Sequence, residues 1–185
     1  MHKIRIFLTA LLAVVGLSAC IKPPQGLEKN EFTLQSLRQI QEGDEACRCK
    51  NVRLGGKVLA AQALKNQTKV EILSLPVLTF SAKPDLDGQS DGRFMVYLDG
   101  FVDPAILKDQ YITLSGTLIG REKGKIDLAD YQYPVIQGQY YKRWQLVEEY
   151  YYDPDDWADY MESRRRGFGY GGYMRPTPKL RYNLY

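Results

Sequence analysis

VRLGGKVLA at residues 52–60 and YITLSGTLI at residues 111–119 decide the fold of this chain. Both stretches are rich in β-branched and other apolar residues, which favours extended strands. Both also carry glycine inside the strand, at Gly55, Gly56 and Gly116. Glycine in a strand interior marks a bulge, a tight bend or a close approach of another backbone. Strands interrupted in this way are typical of a strongly bent sheet.

Four further stretches between and after these two have the same texture. They are KVEIL at 69–73, RFMVYL at 93–98, PVIQ at 134–137 and YKRWQLV at 141–147. Turn residues separate them, and no long helical period interrupts them. The sequence therefore predicts an all-β fold, a small OB-like barrel of five to seven strands that is partly closed, in preference to a flat sandwich.

The residues before the barrel divide into two parts. Residues 31–42 carry apolar side chains near the helical period and predict a short helix that ends at Gly43. Residues 20–30 read as an extended tether, because Pro23 and Pro24 block helix formation. The ten residues that follow Cys20, residues 21–30, reach roughly 35 Å when extended.

Residues 148–185 form a C-terminal extension of unusual charge. Residues 148–162 carry seven acids and no base, and residues 163–185 carry six bases and no acid, so the two blocks can fold onto one another. Asp153 followed by Pro154 predicts a helix start. We expect a short helix followed by a flexible tail rich in glycine, tyrosine and arginine.

The first twenty residues have the layout of an export signal. Lys3 and Arg5 precede an uncharged apolar run that is too short to span a bilayer, which needs about 20 apolar residues. The run ends in LSAC at residues 17–20, which resembles a bacterial lipobox. The resemblance implies cleavage between Ala19 and Cys20, a diacylglyceryl group on the Cys20 sulfur and an acyl chain such as palmitate on the new amine.

The domain boundaries follow from these features. We expect a signal peptide at 1–19, a lipidated cysteine and tether at 20–30, the barrel domain with its short helix at 31–147, and the extension at 148–185. Residue 21 is isoleucine and not the aspartate that marks inner-membrane retention in enteric bacteria, so the lipobox resemblance implies the inner leaflet of the outer membrane.

Composition excludes several classes of function. Two of the 25 basic residues lie in the signal, so 23 remain against 22 acids. That near-neutral balance argues against a nucleic-acid partner. The single histidine, His2, is removed with the signal, so no mature site can use imidazole. We expect no metal and no cofactor apart from the covalent lipid.

Cys47 and Cys49 are the remaining thiols. In an oxidising envelope such a pair more often forms a disulfide than a metal site. In an extended strand their Cα atoms would lie at or beyond the usual bridging limit, so a Cys47–Cys49 disulfide requires a turn. An intermolecular bond and two free thiols stay open as alternatives.

Five short motifs follow one another within residues 50–145. They are Val52-Arg53-Leu54-Gly55-Gly56, Ser74-Leu75-Pro76, Ser90-Asp91-Gly92-Arg93-Phe94, Asp99-Gly100-Phe101-Val102-Asp103-Pro104 and Tyr111-Ile112-Thr113-Leu114-Ser115-Gly116-Thr117. With these motifs the chain resembles the Slp family of outer-membrane lipoproteins, which are of the starvation-inducible type in Gram-negative bacteria. The resemblance covers most of residues 50–145 and implies a role in stress tolerance without implying a reaction or a ligand.

Three groups of side chains suggest specific sites. The acids of residues 85–92 suggest calcium, but Asp-Gly pairs favour a hairpin connection. Asp99, Asp103 and Glu122 are the carboxylates that a glycosidase would need, although nothing in the sequence brings them together. Arg164, Arg165 and Arg166 are candidates for contact with an anionic surface, and a solvated tail explains them equally well.

We therefore predict a non-enzymatic lipoprotein anchored in the outer membrane, with its periplasmic face favoured, that binds an envelope component and supports envelope integrity or stress adaptation. Its expected partners are the membrane and peptidoglycan, lipopolysaccharide or another envelope protein. Two alternatives stay open: a cell-wall carbohydrate-active enzyme that uses acidic residues, and a scaffold that recruits an envelope protein through the C-terminal tail.

Overall fold

The computed structural model describes residues 22–42, 49–165 and 175–185, and within them the chain forms seven strands, three α-helices and one 3-10 helix. The strands are β1 Asn51–Ala63, β2 Gln67–Leu75, β3 Arg93–Asp99, β4 Tyr111–Ile126, β5 Ala129–Trp144, β6 Leu146–Tyr151 and β7 Lys179–Leu184. The helices are the 3-10 helix Lys29–Glu31, then α1 Leu37–Glu42, α2 Pro104–Leu107 and α3 Pro154–Arg165.

Five strands close into a barrel in the order β1-β2-β3-β5-β4. Strand β1 pairs antiparallel with both β2 and β4, which closes the ring, and β3 pairs parallel with β5. This order, with one parallel pair among antiparallel ones, is that of an OB-type Greek-key barrel. The predicted all-β fold, with an OB-like barrel and short helices before and after it, is confirmed.

The core fills the inside of the barrel because apolar side chains alternate along each strand. In β2, Thr68, Val70, Ile72 and Ser74 are buried while their neighbours are half-exposed. Phe94 of β3 is fully buried among residues of the other strands. Alternate residues of a strand point to opposite faces, so this period of two places one row inside the barrel.

Two glycines permit the backbones to approach closely at bends of the barrel. A Cβ atom at Gly56 would lie 1.9 Å from the carbonyl oxygen of Leu73 in β2. A Cβ atom at Gly116 would lie 2.1 Å from the carbonyl oxygen of Gln137 in β5, next to a register shift in the β4–β5 pairing. Any larger side chain at either position would separate the paired strands. The strand glycines Gly56 and Gly116, which the sequence marked as bends or close approaches, therefore lie where two backbones are in contact.

Strands β1 and β4 are buried on both faces over residues 52–56 and 112–116. The N-terminal residues cover the outside at Arg53 and Ser115, and Ala82, in the connection after β2, covers it at Thr113. Residues 31–42 were predicted as one helix, but α1 begins only at Leu37. Leu34 instead forms a parallel bridge with Val52, and the Leu34 carbonyl accepts a hydrogen bond from the Arg53 amide (2.9 Å). Residues around Leu34 therefore pair with the start of β1 and do not form the helix that the narrow apolar pattern predicted.

The tether also differs from its prediction. Leu27 is 1% exposed, and Gly26 lies on the ring of Tyr140. An extended reach of 35 Å over residues 20–30 is therefore wrong for the part that follows Pro24, because these residues lie on the barrel.

The last barrel strand and the chain beyond it correct two further predictions. The stretches 134–137 and 141–147 were expected to be separate strands, but β5 runs through both as far as Trp144. Its first half pairs with the extended end of β4, so that residues 120–134 form a two-stranded arm (the β4–β5 arm). Few residues of this arm are apolar, so the sequence pattern did not predict it as a pair of strands.

The C-terminal extension forms a short helix, as predicted, but its tail is not flexible over residues 179–184. These residues form β7, which pairs antiparallel with β6 in a two-stranded sheet (the C-terminal ribbon). The acidic and basic blocks meet here, since Lys179 lies 2.9 Å from Asp153 and Arg181 lies 3.0 Å from Glu149. Burial of Leu184 adds an apolar contact.

Replacing Gly56 with Ala should destabilise the barrel by at least about 2 kcal/mol, because the new methyl group overlaps the Leu73 carbonyl. Urea unfolding of the chain from residue 21 measures this change. Gly100→Ala is the control, since Gly100 has a positive φ of 80° but nothing lies within 4 Å of its Cβ position. It should lose about 1 kcal/mol from backbone strain alone. Equal losses of unfolding free energy in the two variants would show that overlap with the Leu73 carbonyl is not the cause.

Candidate binding groove

An open groove lies between the C-terminal ribbon and the connection from β2 to β3, residues 76–92 (the 76–92 connection). Its volume is about 500 Å³, within the range of small-ligand sites. Its lining residues are Leu86, Asp87, Tyr111, Leu146, Leu180, Arg181 and Tyr182. A second groove of about 420 Å³ shares four of these residues and extends to Lys83 and Tyr185. The two form one continuous surface (the ribbon groove).

The first wall of the groove is held by hydrogen bonds that reach into the barrel. Ala82 is buried with a left-handed backbone (φ 58°), and its carbonyl accepts a hydrogen bond from Thr113 Oγ1 (2.5 Å). Trp144 Nε1 donates to the same Thr113 oxygen (3.0 Å). The 76–92 connection is therefore fixed against β4 and β5, which gives the groove a rigid side.

The second wall is the C-terminal ribbon, which Glu149 holds together. Its carboxylate accepts hydrogen bonds from the hydroxyl of Tyr185, from Asn183 Nδ2 (2.6 Å) and from Arg181 Nε (3.1 Å). The Tyr185 hydroxyl, and after it Asn183, hold the pKa of Glu149 below its usual range. The main chain of Tyr185 also exchanges two hydrogen bonds with Gln145.

The side chains of the groove combine aromatic faces with charges of both signs. Tyr111 and Tyr182 supply rings, Asp87 supplies a carboxylate and Arg181 supplies a guanidinium. Lys83 Nζ lies 4.9 Å from the Tyr185 ring centroid, close enough for a cation–π contact. Rings pack against the C–H face of a sugar, while charged groups pair with its hydroxyls. This combination suits a polyhydroxylated ligand.

The outer face of β2 and β3, where OB barrels bind ligands, is covered by the β4–β5 arm. Lys69 Nζ lies 2.5 Å from Glu122 Oε1, and the Tyr97 hydroxyl donates to Glu122 Oε2 (2.9 Å). Beside them Arg93 lies 2.9 Å from Glu71, which also accepts from the Tyr133 hydroxyl. The arm therefore occupies the usual ligand face with the protein's own side chains.

The hydrogen bond from Lys69, together with that from Tyr97, lowers the pKa of Glu122, although burial opposes the shift. Glu122 thus serves as a paired carboxylate that attaches the arm to the barrel.

The carboxylates considered as a catalytic set have separate structural roles. Asp103 Oδ1 accepts from the Ala105 amide (2.9 Å) and caps α2. Asp99 Oδ1 accepts from the side-chain amides of Gln67 (3.2 Å) and Gln137 (2.9 Å). Glu122 is paired with Lys69. The acids of residues 85–92 lie in the 76–92 connection, where Asp85 accepts from the Asp87 amide.

Several predicted site residues lie outside the described part of the chain. These are Ala19, Cys20, Cys47 and Arg166. Cys49 is exposed and has a left-handed backbone (φ 62°) at a turn, and the Cys47–Cys49 disulfide stays a prediction. Arg164 and Arg165 are exposed in the last turn of α3, where Arg164 lies 6.0 Å from the Tyr160 ring.

Two kinds of feature are absent from residues 22–42, 49–165 and 175–185. No group of three or more histidine, cysteine or acidic side chains there is placed to hold a metal ion. No helix in the same residues has the length and apolar character needed to cross a membrane.

Sequence reasoning did not locate the ribbon groove. The concentration of tyrosine after residue 131 was its one visible signal, and Tyr182 is among those that line it. The sequence predicts a polar connection at Asp87 and gives no sign that this residue lines a groove. Its position beside Arg181 depends on a pairing between residues far apart in sequence.

The fold is a small OB-type barrel whose N-terminal residues are docked on its wall and whose C-terminal ribbon forms one side of an open groove. The chain matches the family model described as outer membrane lipoprotein Slp family over residues 17–177, and it belongs to that family. The resemblance noted in the sequence is confirmed, and the protein is an outer-membrane lipoprotein.

Three curated proteins illustrate the relationship. A protein of Haemophilus influenzae named only as uncharacterized is 55% identical over 157 residues, which cover 85% of each chain. The uncharacterized lipoprotein YeaY of Escherichia coli is 32% identical over 172 residues, 88% of this chain and 86% of that one. The outer membrane protein Slp of Escherichia coli is 29% identical over 140 residues, 71% of each. No solved structure matches the chain.

Replacing Glu122 with Gln should reduce the pH dependence of stability. The folded-state pKa of Glu122 lies below its ordinary value of 4.5, so the ionised side chain stabilises the fold above pH 4.5, and this contribution is lost as the pH falls through the lower, folded-state pKa. At pH 7 the variant should be less stable by about 0.5 kcal/mol, since the pair is partly exposed.

Urea unfolding at several pH values from 7 to below 4.5 tests this expectation, and the difference between the two proteins should shrink as the pH falls. Asp130→Asn is the matched control, because Asp130 is an exposed acid on the same β4–β5 arm. A difference that stays constant with pH, or that appears equally in the control, would exclude the ion pair as its cause.

Proposed function

We propose that this lipoprotein is held on the periplasmic face of the outer membrane by a lipid on Cys20 and binds an envelope glycan, without catalysis, in the ribbon groove. The observation that carries the proposal is the groove itself, with two tyrosine rings, Asp87 and Arg181 between two fixed walls. Through that contact the protein would support envelope integrity during stationary phase or stress.

The anchor is supported by the sequence LSAC at residues 17–20 and by the family. One acyl chain attaches a protein only marginally, whereas several chains make attachment effectively permanent at about 0.8 kcal/mol for each buried methylene. Isoleucine at residue 21 favours transfer to the outer membrane over retention at the inner one. The periplasmic side is preferred because transfer to that side needs no passage across the outer membrane.

Peptidoglycan is the glycan that this placement favours. It lies in the periplasm, whereas lipopolysaccharide is concentrated on the outer leaflet. Its sugars offer hydroxyl groups and apolar C–H faces, and its peptides offer charges for Asp87 and Arg181. An enzyme that uses Asp99 and Asp103 has less support, because both side chains already have structural partners.

A scaffold that recruits a protein is the second candidate, and the C-terminal ribbon supports it. Tyr150 is 72% exposed and Leu180 is 43% exposed on one face of the ribbon, and Trp157 of α3 is 47% exposed. Aromatic side chains of this kind are enriched at protein interfaces. A partner bound there would be lost when the ribbon is altered and the barrel is left intact.

Replacing Cys20 with Ser should release the protein from membranes, since serine cannot form the thioether to diacylglycerol. Membrane fractionation and intact mass of the extracted protein measure the effect. Cys49→Ser is the control and should stay in the membrane fraction with the mass of an acylated chain. Full membrane residence of Cys20→Ser would argue against the anchor.

Replacing Tyr182 with Ala should reduce cosedimentation with purified peptidoglycan sacculi by about tenfold, because a buried stacking contact contributes about 1.5 kcal/mol. Tyr150→Ala is the matched control: Tyr150 lies on the same face of the ribbon but does not line the groove. Equal loss in both variants would favour a general surface effect, and no binding by the unaltered protein would exclude this ligand.

A further inference from the structure

The N-terminal residues that follow the anchor position are docked on the barrel. Leu27 is buried, and its amide donates to the Pro24 carbonyl (3.0 Å). The Gly26 carbonyl accepts from Ser115 Oγ (2.7 Å), and the Leu27 carbonyl accepts from Arg53 Nη1 (2.9 Å). Residues 24–27 (the docked segment) are therefore attached to both β1 and β4.

Arg53 is notable because it is 1% exposed, and its guanidinium contacts neutral oxygens. In addition to the Leu27 carbonyl, the guanidinium donates to Gln35 Oε1 (3.1 Å). Burial lowers the pKa of Arg53. A charge is costly to bury unless hydrogen bonds replace water. Its two partners lie before and after the 3-10 helix, so one side chain fixes this whole stretch to the barrel.

The distance from the anchor to the barrel is correspondingly short. Lys22 is the second residue after Cys20, so its Cα lies at most about 7 Å from that of Cys20, and Gly26 is the sixth, so its Cα lies at most about 21 Å away. A lipid on Cys20 therefore keeps the barrel wall beside Gly26 within that distance of the bilayer. A free tether of ten residues would allow a larger separation and any orientation.

The surface at this place has the side chains that favour a bilayer interface. The Gly26 backbone lies on the ring of Tyr140, which is 57% exposed. Lys142 follows on the same side of β5 and is exposed, as is Lys22. Tyrosine is enriched at membrane–water interfaces, and basic residues near anionic lipid are attracted to its headgroups.

We propose that Lys22, Tyr140 and Lys142 form a membrane-contact surface that lies against anionic phospholipid headgroups and sets the orientation of the barrel. The proposal rests on the lipidation of Cys20 proposed above. The docked segment acts as the spacer, and the three side chains supply the contact. The β4–β5 arm, whose tip Leu128 is 95% exposed, lies at the other end of the same strand pair.

The test uses the acylated full-length protein, reconstituted in vesicles of phosphatidylethanolamine and phosphatidylglycerol that contain a nitroxide headgroup quencher. Cys47 and Cys49 are replaced by Ser, and one fluorophore is attached either at Gln139→Cys, an exposed site beside Tyr140, or at Leu128→Cys. Quenching at 139 should exceed quenching at 128 by at least threefold. Equal quenching at the two sites would overturn the proposal.

Two glycine variants then test the docked segment. Gly26 and Gly100 both have left-handed backbones, with φ 78° and 80°. A Cβ at Gly26 would lie 2.7 Å from the Tyr140 ring, whereas nothing lies within 4 Å of one at Gly100. Gly26→Val should bring quenching at 139 down to the value at 128, and Gly100→Val should leave it unchanged. Unchanged quenching in Gly26→Val would show that docking does not set the orientation.

Intact mass separates this proposal from the anchor itself. A chain without lipid overturns both the anchor and the contact surface. A fully acylated chain whose label at 139 is not preferentially quenched overturns the contact surface alone. Replacing phosphatidylglycerol with phosphatidylcholine should lower quenching at 139, because the lysines then lose their anionic partners; unchanged quenching would exclude their role.

Discussion

Close contact between main chains at Gly56 and Gly116 is the constraint on which the rest of the structure depends. At these two positions β1 meets β2 and β4 meets β5 with no room for a Cβ atom. The resulting bends let five strands close into a ring, and closure removes the free edges that an open sheet would expose. Closure also leaves the outer faces of β1 and β4 to be covered, and the N-terminal segment and the 76–92 connection cover them.

The sequence predicted the parts of the fold that depend on local pattern. Alternation in KVEIL predicted β2, and the apolar and aromatic content of RFMVYL predicted β3. The charge and capping pattern at Asp153-Pro154 predicted α3. The misses have a common physical cause: each depends on contacts between distant residues. Leu34 pairs with Val52, and Leu184 is buried only because β7 reaches β6, so neither outcome is encoded in a short window. The ribbon groove was missed for the same reason.

The open groove of this barrel does not lie on the face that most OB barrels use for ligands. On β2 and β3 that face is filled by Glu122, Tyr133 and their partners, which hold the β4–β5 arm in place. The groove lies instead between the 76–92 connection and the C-terminal ribbon, which supplies its second wall. The five-stranded barrel thus has a segment packed on it from each end of the chain. The N-terminal segment follows the lipid anchor, and the C-terminal ribbon lines the groove.

Because residues 180–182 line the ribbon groove, the groove forms after the barrel when the chain is exported. A chain that crosses the inner membrane N-terminus first presents residues 51–144 to the periplasm before residues 180–185, so the barrel can close while the second wall of the groove is still being translocated. The groove is therefore completed only after the barrel residues are in the periplasm, because residues 180–182 form part of its lining. The barrel can thus close, and the N-terminal residues can dock on it, while one wall of the groove is still absent.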